Sequence, residues 1–209
     1  NLLITSLVMV FVTKSGTEPM IVGQIDVQAF VMIIVLGLLS FRTSFRFLLA
    51  NGFSRKLFFG INFAALTVTA AAWTGIIMLI AAAYKAFVPY RLLFSLIYKD
   101  AGGAPAWIFT ELLFTAVLGW TISMIYYRCN ILGKIFVSVA PFVLATLIVL
   151  IDSRIGWGIS RSLSGFFMAA FGLSADAPQP YRGVLTMLLG VVLLGGCAFL
   201  LLRRAQIKD

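Results

Sequence analysis

The stretch "SFRTSFRFLLANGFSRKLFFGI", residues 40–61, decides how this chain folds. It places four cations, Arg42, Arg46, Arg55 and Lys56, within fifteen positions of a chain in which only 11% of the residues are charged. Phenylalanines lie between these cations, and an Asn-Gly pair divides the stretch. A cationic, aromatic segment between two long apolar runs is typical of a chain that turns at a membrane surface.

The composition of the whole chain agrees with this interpretation. Apolar residues make up 62% of the sequence and the mean hydropathy is +1.07, and several runs approach the roughly 20 apolar residues that a helix needs to cross a bilayer. The net charge of +9 does not indicate a nucleic-acid partner, because most cations flank apolar runs. Histidine is absent, and the sequence has neither a phosphate-binding loop nor a nucleophile elbow. We therefore predict a membrane protein without a catalytic constellation, a metal site or a cofactor of its own.

The pattern of apolar runs predicts an all-α, polytopic fold in which residues 1–209 form a single transmembrane domain with six spans. The first span, residues 2–13, is too short to cross alone, and we expect it to continue upstream. The five full spans are residues 25–41, 57–87, 106–127, 131–151 and 183–202.

Residues 155–173 differ from these spans because they combine apolar side chains with four glycines, several serines and Arg161. Arginine and serines are costly at the middle of a membrane, whereas phenylalanines are costly in water. We therefore predict a re-entrant helical hairpin, within an outer gate segment at residues 153–182.

The distribution of cations predicts the orientation. With a cytoplasmic C-terminus, the inner segments hold nine Lys or Arg in twenty-eight residues, and the outer segments hold seven in sixty-three. The inner segments are residues 42–56, 128–134 and 203–208. This density favours a multi-pass protein of the plasma membrane with its C-terminus in the cytoplasm.

Residues 42–56 then form a cytosolic elbow between the second and third spans. A helix from residue 43 would carry its apolar side chains on one side; these are Phe45, Leu48, Leu49 and Phe53. Asn51 and Gly52 favour the left-handed conformation that ends a helix, and Ser54 is suited to cap the next one. The elbow is predicted to be a short surface helix, a sharp turn and a new transmembrane helix.

The phrase "FRFLLANGFSRKLFFG", placed just before a long span, resembles the cytosolic loop of membrane subunits of ATP-binding cassette exporters of the type-2 permease class, especially the small permeases of Gram-positive bacteria. The resemblance implies a coupling helix that sits in a cleft of a separate ATPase subunit, which would hold ATP and Mg²⁺. It also implies an outer gate, and a second permease copy with two ATPase copies would complete the exporter. The cargo would be hydrophobic or amphipathic: a peptide, an antibiotic or a lipid-like molecule.

The resemblance assigns two sets of site residues. The expected contacts with the ATPase subunit are Phe45, Arg46, Phe47, Leu48, Asn51, Gly52, Ser54 and Arg55. The expected gate residues are Arg161, Phe166, Phe167 and Phe171. Two questions stay open: Glu111 could line a substrate path or only reach the headgroups, and the chain could instead be a non-transporting membrane immunity or regulatory factor.

Overall fold

The computed structural model describes residues 21–22, 24–85, 90–98, 102–155, 158–173 and 178–203. The described residues form seven helices: α1 (Gln24–Ala50), α2 (Arg55–Lys85), α3 (Leu93–Tyr98), α4 (Ala104–Arg128), α5 (Ile131–Ile155), α6 (Gly158–Ala170) and α7 (Pro180–Arg203). Two short strands, β1 (Ile21–Val22) and β2 (Tyr90–Arg91), make one parallel pair.

Four of these helices, α2, α4, α5 and α7, are long and apolar enough to cross a membrane, and α1 contains the shorter apolar stretch Ile25–Phe41. The prediction of a helical membrane protein is therefore confirmed. The five full spans expected from the sequence fall on α1, α2, α4, α5 and α7, apart from residues 86–87. The expected first span, residues 2–13, lies outside the described residues. The count of six spans and the re-entrant hairpin stay predictions.

Helix α4 lies at the centre of the bundle. Among residues of its most apolar stretch 61% are buried, against 22% in the corresponding stretches of α2 and α7. The helices packed against α4 are α1, α7 and, less extensively, α2. Its buried side chains include Trp107, Leu112 and Trp120, so α4 provides the core that the other spans cover.

Glycines allow α1 and α4 to approach until their backbones touch. A methyl group at Gly119 would lie 2.5 Å from the carbonyl oxygen of Ile34, and a methyl group at Gly37 would collide with the carbonyl oxygen of Ala116. Small residues at such contacts let membrane helices pack closely without an aqueous hydrophobic effect. The pair α1–α4 is therefore fixed by backbone contact.

Helix α5 differs from the other spans because the described residues cover little of it. Only 6% of its apolar stretch is buried, and large side chains such as Leu132, Phe136 and Phe142 are exposed. A hydrogen bond between the Tyr126 hydroxyl and the Ser138 hydroxyl links it to α4. The described residues therefore leave most of its surface uncovered.

The glycine contact gives a first prediction. Gly119→Ala and Gly37→Ala should each lower the free energy of unfolding by about 1–3 kcal/mol, because the added methyl group meets backbone atoms that cannot move aside. The measurement is unfolding of the detergent-solubilised protein followed by circular dichroism.

The matched control is Gly75→Ala in α2, because a methyl group there has no described atom within 4 Å. This control should leave the stability unchanged or raise it slightly, since alanine favours a helix over glycine. Equal stability of all three variants would contradict the close packing of α1 and α4.

Candidate functional site

The turn between α1 and α2 is built as the sequence predicts. Gly52 has a left-handed backbone with φ of 80°, and the Phe53 N–H donates to the Leu48 carbonyl at 3.1 Å. This is the hydrogen-bond pattern by which glycine ends a helix. Ser54 Oγ accepts a hydrogen bond from the Leu57 N–H at 3.3 Å and so caps α2. We call this side of the bundle the elbow end.

The separate surface helix that the sequence suggested is not present. Residues 43–50 continue α1 without a break up to Ala50. No glycine or proline interrupts residues 38–50. In addition, the rings of Phe41 and Phe45 stack at 4.9 Å on the same face of the helix. The elbow therefore consists of the last turns of a long helix followed by a tight turn.

Phe45 was expected to contact a partner protein, and the structure corrects this. Its side chain is 0% exposed and its ring lies 5.3 Å from that of Phe58 on α2 and 5.6 Å from that of Tyr127 on α4. The sequence pattern of residues 43–53 separates apolar from charged positions but does not show which apolar side chains face the rest of the protein. Phe45 is a core residue that joins three helices.

Phe47 has the opposite environment. Its side chain is 68% exposed although it belongs to the same turn of α1 as Phe45. Leu48 is half-buried and packs on the core, and the side chain of Arg46 lies outside the described part of the chain. The remaining predicted contacts, Asn51, Gly52, Ser54 and Arg55, are all exposed. Phe47 and the turn together form one accessible surface, which we call the elbow surface.

Arg55 also makes a contact within the protein. Its guanidinium donates a hydrogen bond to the carbonyl oxygen of Arg203 at 2.8 Å. Arg203 is the last residue of α7, where cations and N–H donors satisfy carbonyl groups that have no partner within the helix. This contact ties the start of α2 to the end of α7 at the elbow end.

At the opposite end, the described residues of the predicted gate segment include the 13-residue helix α6. Near the start of α6, the Ser160 N–H donates a hydrogen bond to Oδ2 of the buried Asp152 at 2.8 Å. The exposed gate residues are Arg161, Phe166 and Phe167, whereas Phe171 is half-buried and packs on the core.

The contacts at the far end of α6 are equally defined. The Tyr98 hydroxyl donates to the Phe171 carbonyl at 2.7 Å, and the Thr186 hydroxyl donates to the Ala170 carbonyl at 2.6 Å. Burial raises the pKa of the Tyr98 phenol above its ordinary value of 10.0, so it keeps its proton and remains a donor at neutral pH. Helix α6 is thus attached at both ends and exposed along residues 161–169.

Two acidic side chains also lie near this end. Asp26 is buried, and its Oδ2 accepts a hydrogen bond at 2.7 Å from the N–H of Leu93. Leu93 is the first residue of α3. Glu111 on α4 is half-buried. The role of Asp26 could not be found from sequence because its partner lies 67 residues away.

Searches against protein families, curated protein sequences and solved structures give no match to this chain. The class of the protein therefore follows from its helices alone: it is a helical membrane protein.

The pair Phe45 and Phe47 gives a second prediction. Phe45→Ala should lower the free energy of unfolding by about 3–5 kcal/mol, because it removes a fully buried ring from an aromatic cluster. Phe47→Ala should change it by less than about 0.5 kcal/mol, as substitutions at exposed positions usually do. Unfolding of the two purified variants measures both values, and similar losses in the two would contradict the assignment of Phe45 to the core.

Proposed function

We propose that this chain is the permease subunit of an ATP-driven exporter and that the elbow surface binds the ATPase subunit. The observation that carries the proposal is the exposure of Phe47 beside a well-defined turn. Exposed aromatic side chains on rigid supports are frequent anchors of protein interfaces. The cations of the elbow and the resemblance of its sequence to the permease class support the same assignment.

The packing around Phe47 suggests how motion of a partner would reach the spans. Phe47 lies two residues from Phe45, whose ring contacts Phe58 on α2 and Tyr127 on α4. A closely packed cluster transmits displacement because it has little free volume. A force applied to Phe47 would therefore act on α1, α2 and α4 together.

The uncovered surface of α5 supports a second permease copy. Among the described residues, buried side chains of α4 fill the centre of the bundle, so a large cargo would need room elsewhere. A seam between two copies would provide that room, and a symmetric pair is the commonest closed assembly. The apolar surface of α5 would suit a hydrophobic or amphipathic cargo at such a seam.

Helix α6 is proposed as the outer gate. Its ends are fixed by Asp152 and by the hydrogen bonds to residues 170 and 171, whereas its middle has exposed aromatic side chains. Such a helix can rotate about the line that joins its attached ends when the two copies move together. Its phenylalanines would then cover or uncover the end of the cargo path.

The third prediction tests the ATPase contact. Phe47→Asp should abolish co-purification of an ATPase subunit from the native membrane, because a charge at the centre of an apolar contact is costly to bury. The permease itself should remain in the membrane, since Phe47 makes no core contact.

The matched control is Tyr181→Asp, an aromatic residue that is 62% exposed at the opposite end of the bundle. It should retain the ATPase subunit. Loss of the ATPase in both variants, or in neither, would contradict the role of the elbow surface, and the absence of any ATPase from the unaltered protein would favour an immunity or regulatory factor.

The fourth prediction tests the gate. Single cysteines at Ser160 and Phe167, in a protein whose free cysteines Cys129 and Cys197 are replaced by alanine, are labelled from outside with an impermeant thiol reagent. Position 160, near an attached end, should label equally in all states. Position 167 should change its labelling when the ATPase is trapped with nucleotide. Identical labelling in every state, or labelling from the cytosol alone, would overturn the gate.

A further inference from the structure

A cleft at the elbow end combines cationic and apolar walls. It lies between the start of α2 and the end of α7 and has a volume of about 570 Å³, within the roughly 300–1,000 Å³ usual for ligand sites. Its lining residues include three cations, Arg55, Lys56 and Arg203, and the apolar side chains Phe199 and Leu202. We call it the inner cleft.

Among the described residues, no acidic side chain balances the charge of the inner cleft. None of its described lining residues is acidic. The three described acidic residues lie elsewhere. Asp26 and Asp152 accept hydrogen bonds from backbone groups at the opposite end of the bundle, and Glu111 lies in the half of α4 nearest that end. Three cations held close together repel one another unless an anion lies between them. The ligand that fits is therefore anionic.

The geometry of Arg55 favours a phosphate group. Its hydrogen bond to the Arg203 carbonyl at 2.8 Å holds the guanidinium at the cleft, and this planar group carries five N–H donors suited to two-point binding of phosphate oxygens. Lys56 and Arg203 are exposed beside it and add charge without a fixed direction.

The apolar wall decides between a free phosphate and a lipid. Phe199 and Leu202 belong to α7, and α2 and α7 are both apolar enough to cross the membrane, so the cleft opens where two membrane helices end. A second cleft that shares Arg203 has the same combination, with Arg128 beside Leu200 and Leu201. Basic pockets between the ends of membrane helices bind anionic headgroups, and acyl chains would contact the apolar wall.

We propose that the inner cleft binds the headgroup of an anionic phospholipid from the membrane leaflet at the elbow end. The lipid would bridge α2 and α7 by its phosphate, next to the existing hydrogen bond between Arg55 and Arg203. This inference goes beyond the exporter function and does not require an ATPase partner.

The test is native mass spectrometry of the full chain, purified in detergent and titrated with phosphatidylglycerol or phosphatidylcholine. Phosphatidylglycerol should bind more tightly. Lys56→Gln should weaken its binding about fivefold and Lys56→Gln combined with Arg203→Gln about twenty-five-fold, as expected for loss of one and two cations near an anionic headgroup. Lys56 is exposed, and its substitution removes no described packing. A loss of lipid binding in Lys56→Gln would therefore not be caused by misfolding.

The matched control is Lys134→Gln, which removes an exposed cation near the start of α5 but outside the inner cleft. It should leave phosphatidylglycerol binding unchanged. Equal weakening by Lys134→Gln and Lys56→Gln would overturn the site, because it would show only general attraction. Equal affinity for the two lipids, or displacement of phosphatidylglycerol by an equal concentration of inorganic phosphate, would also overturn it.

Discussion

The backbone contact between α1 and α4 is the constraint on which the rest of the structure depends. Gly37 and Gly119 bring the two helices together so closely that neither position has room for a methyl group. With α1 fixed on α4, Phe41 and Phe45 are placed against Tyr127 of α4, and Phe58 brings the start of α2 to the same cluster. The position of the elbow thus follows from contacts made deep in the bundle.

The two ends of the bundle are built differently. At the elbow end, the chain turns within a few residues, and an aromatic cluster supports an exposed phenylalanine and a group of cations. At the opposite end, hydrogen bonds between side chains and backbone hold the short helices α3 and α6: Asp26 and Asp152 accept them from backbone N–H groups, and the Tyr98 hydroxyl donates to a carbonyl. This difference agrees with the proposed exporter, in which the elbow end would bind a partner and the opposite end would move.

Much of this fold could be predicted from local sequence. Long apolar runs identified five helices, and the turn chemistry of Asn51, Gly52 and Ser54 gave the end of α1 and the cap of α2 correctly, because those effects depend on neighbouring residues. The burial of Phe45 could not be predicted, since its partners Phe58 and Tyr127 belong to other helices. The hydrogen bond from the Leu93 N–H to the Asp26 carboxylate could not be predicted for the same reason.

The central claim is that the elbow surface is where this chain meets an ATPase. The most direct measurement replaces Phe47 with a photoreactive phenylalanine analogue, illuminates native membranes and identifies the attached protein by mass spectrometry. Because the Phe47 side chain is 68% exposed, the reactive group would point away from the core and could reach a partner. We expect an adduct with an ATP-binding cassette ATPase, whereas adducts with lipid alone, or with another copy of this chain, would contradict the proposed contact.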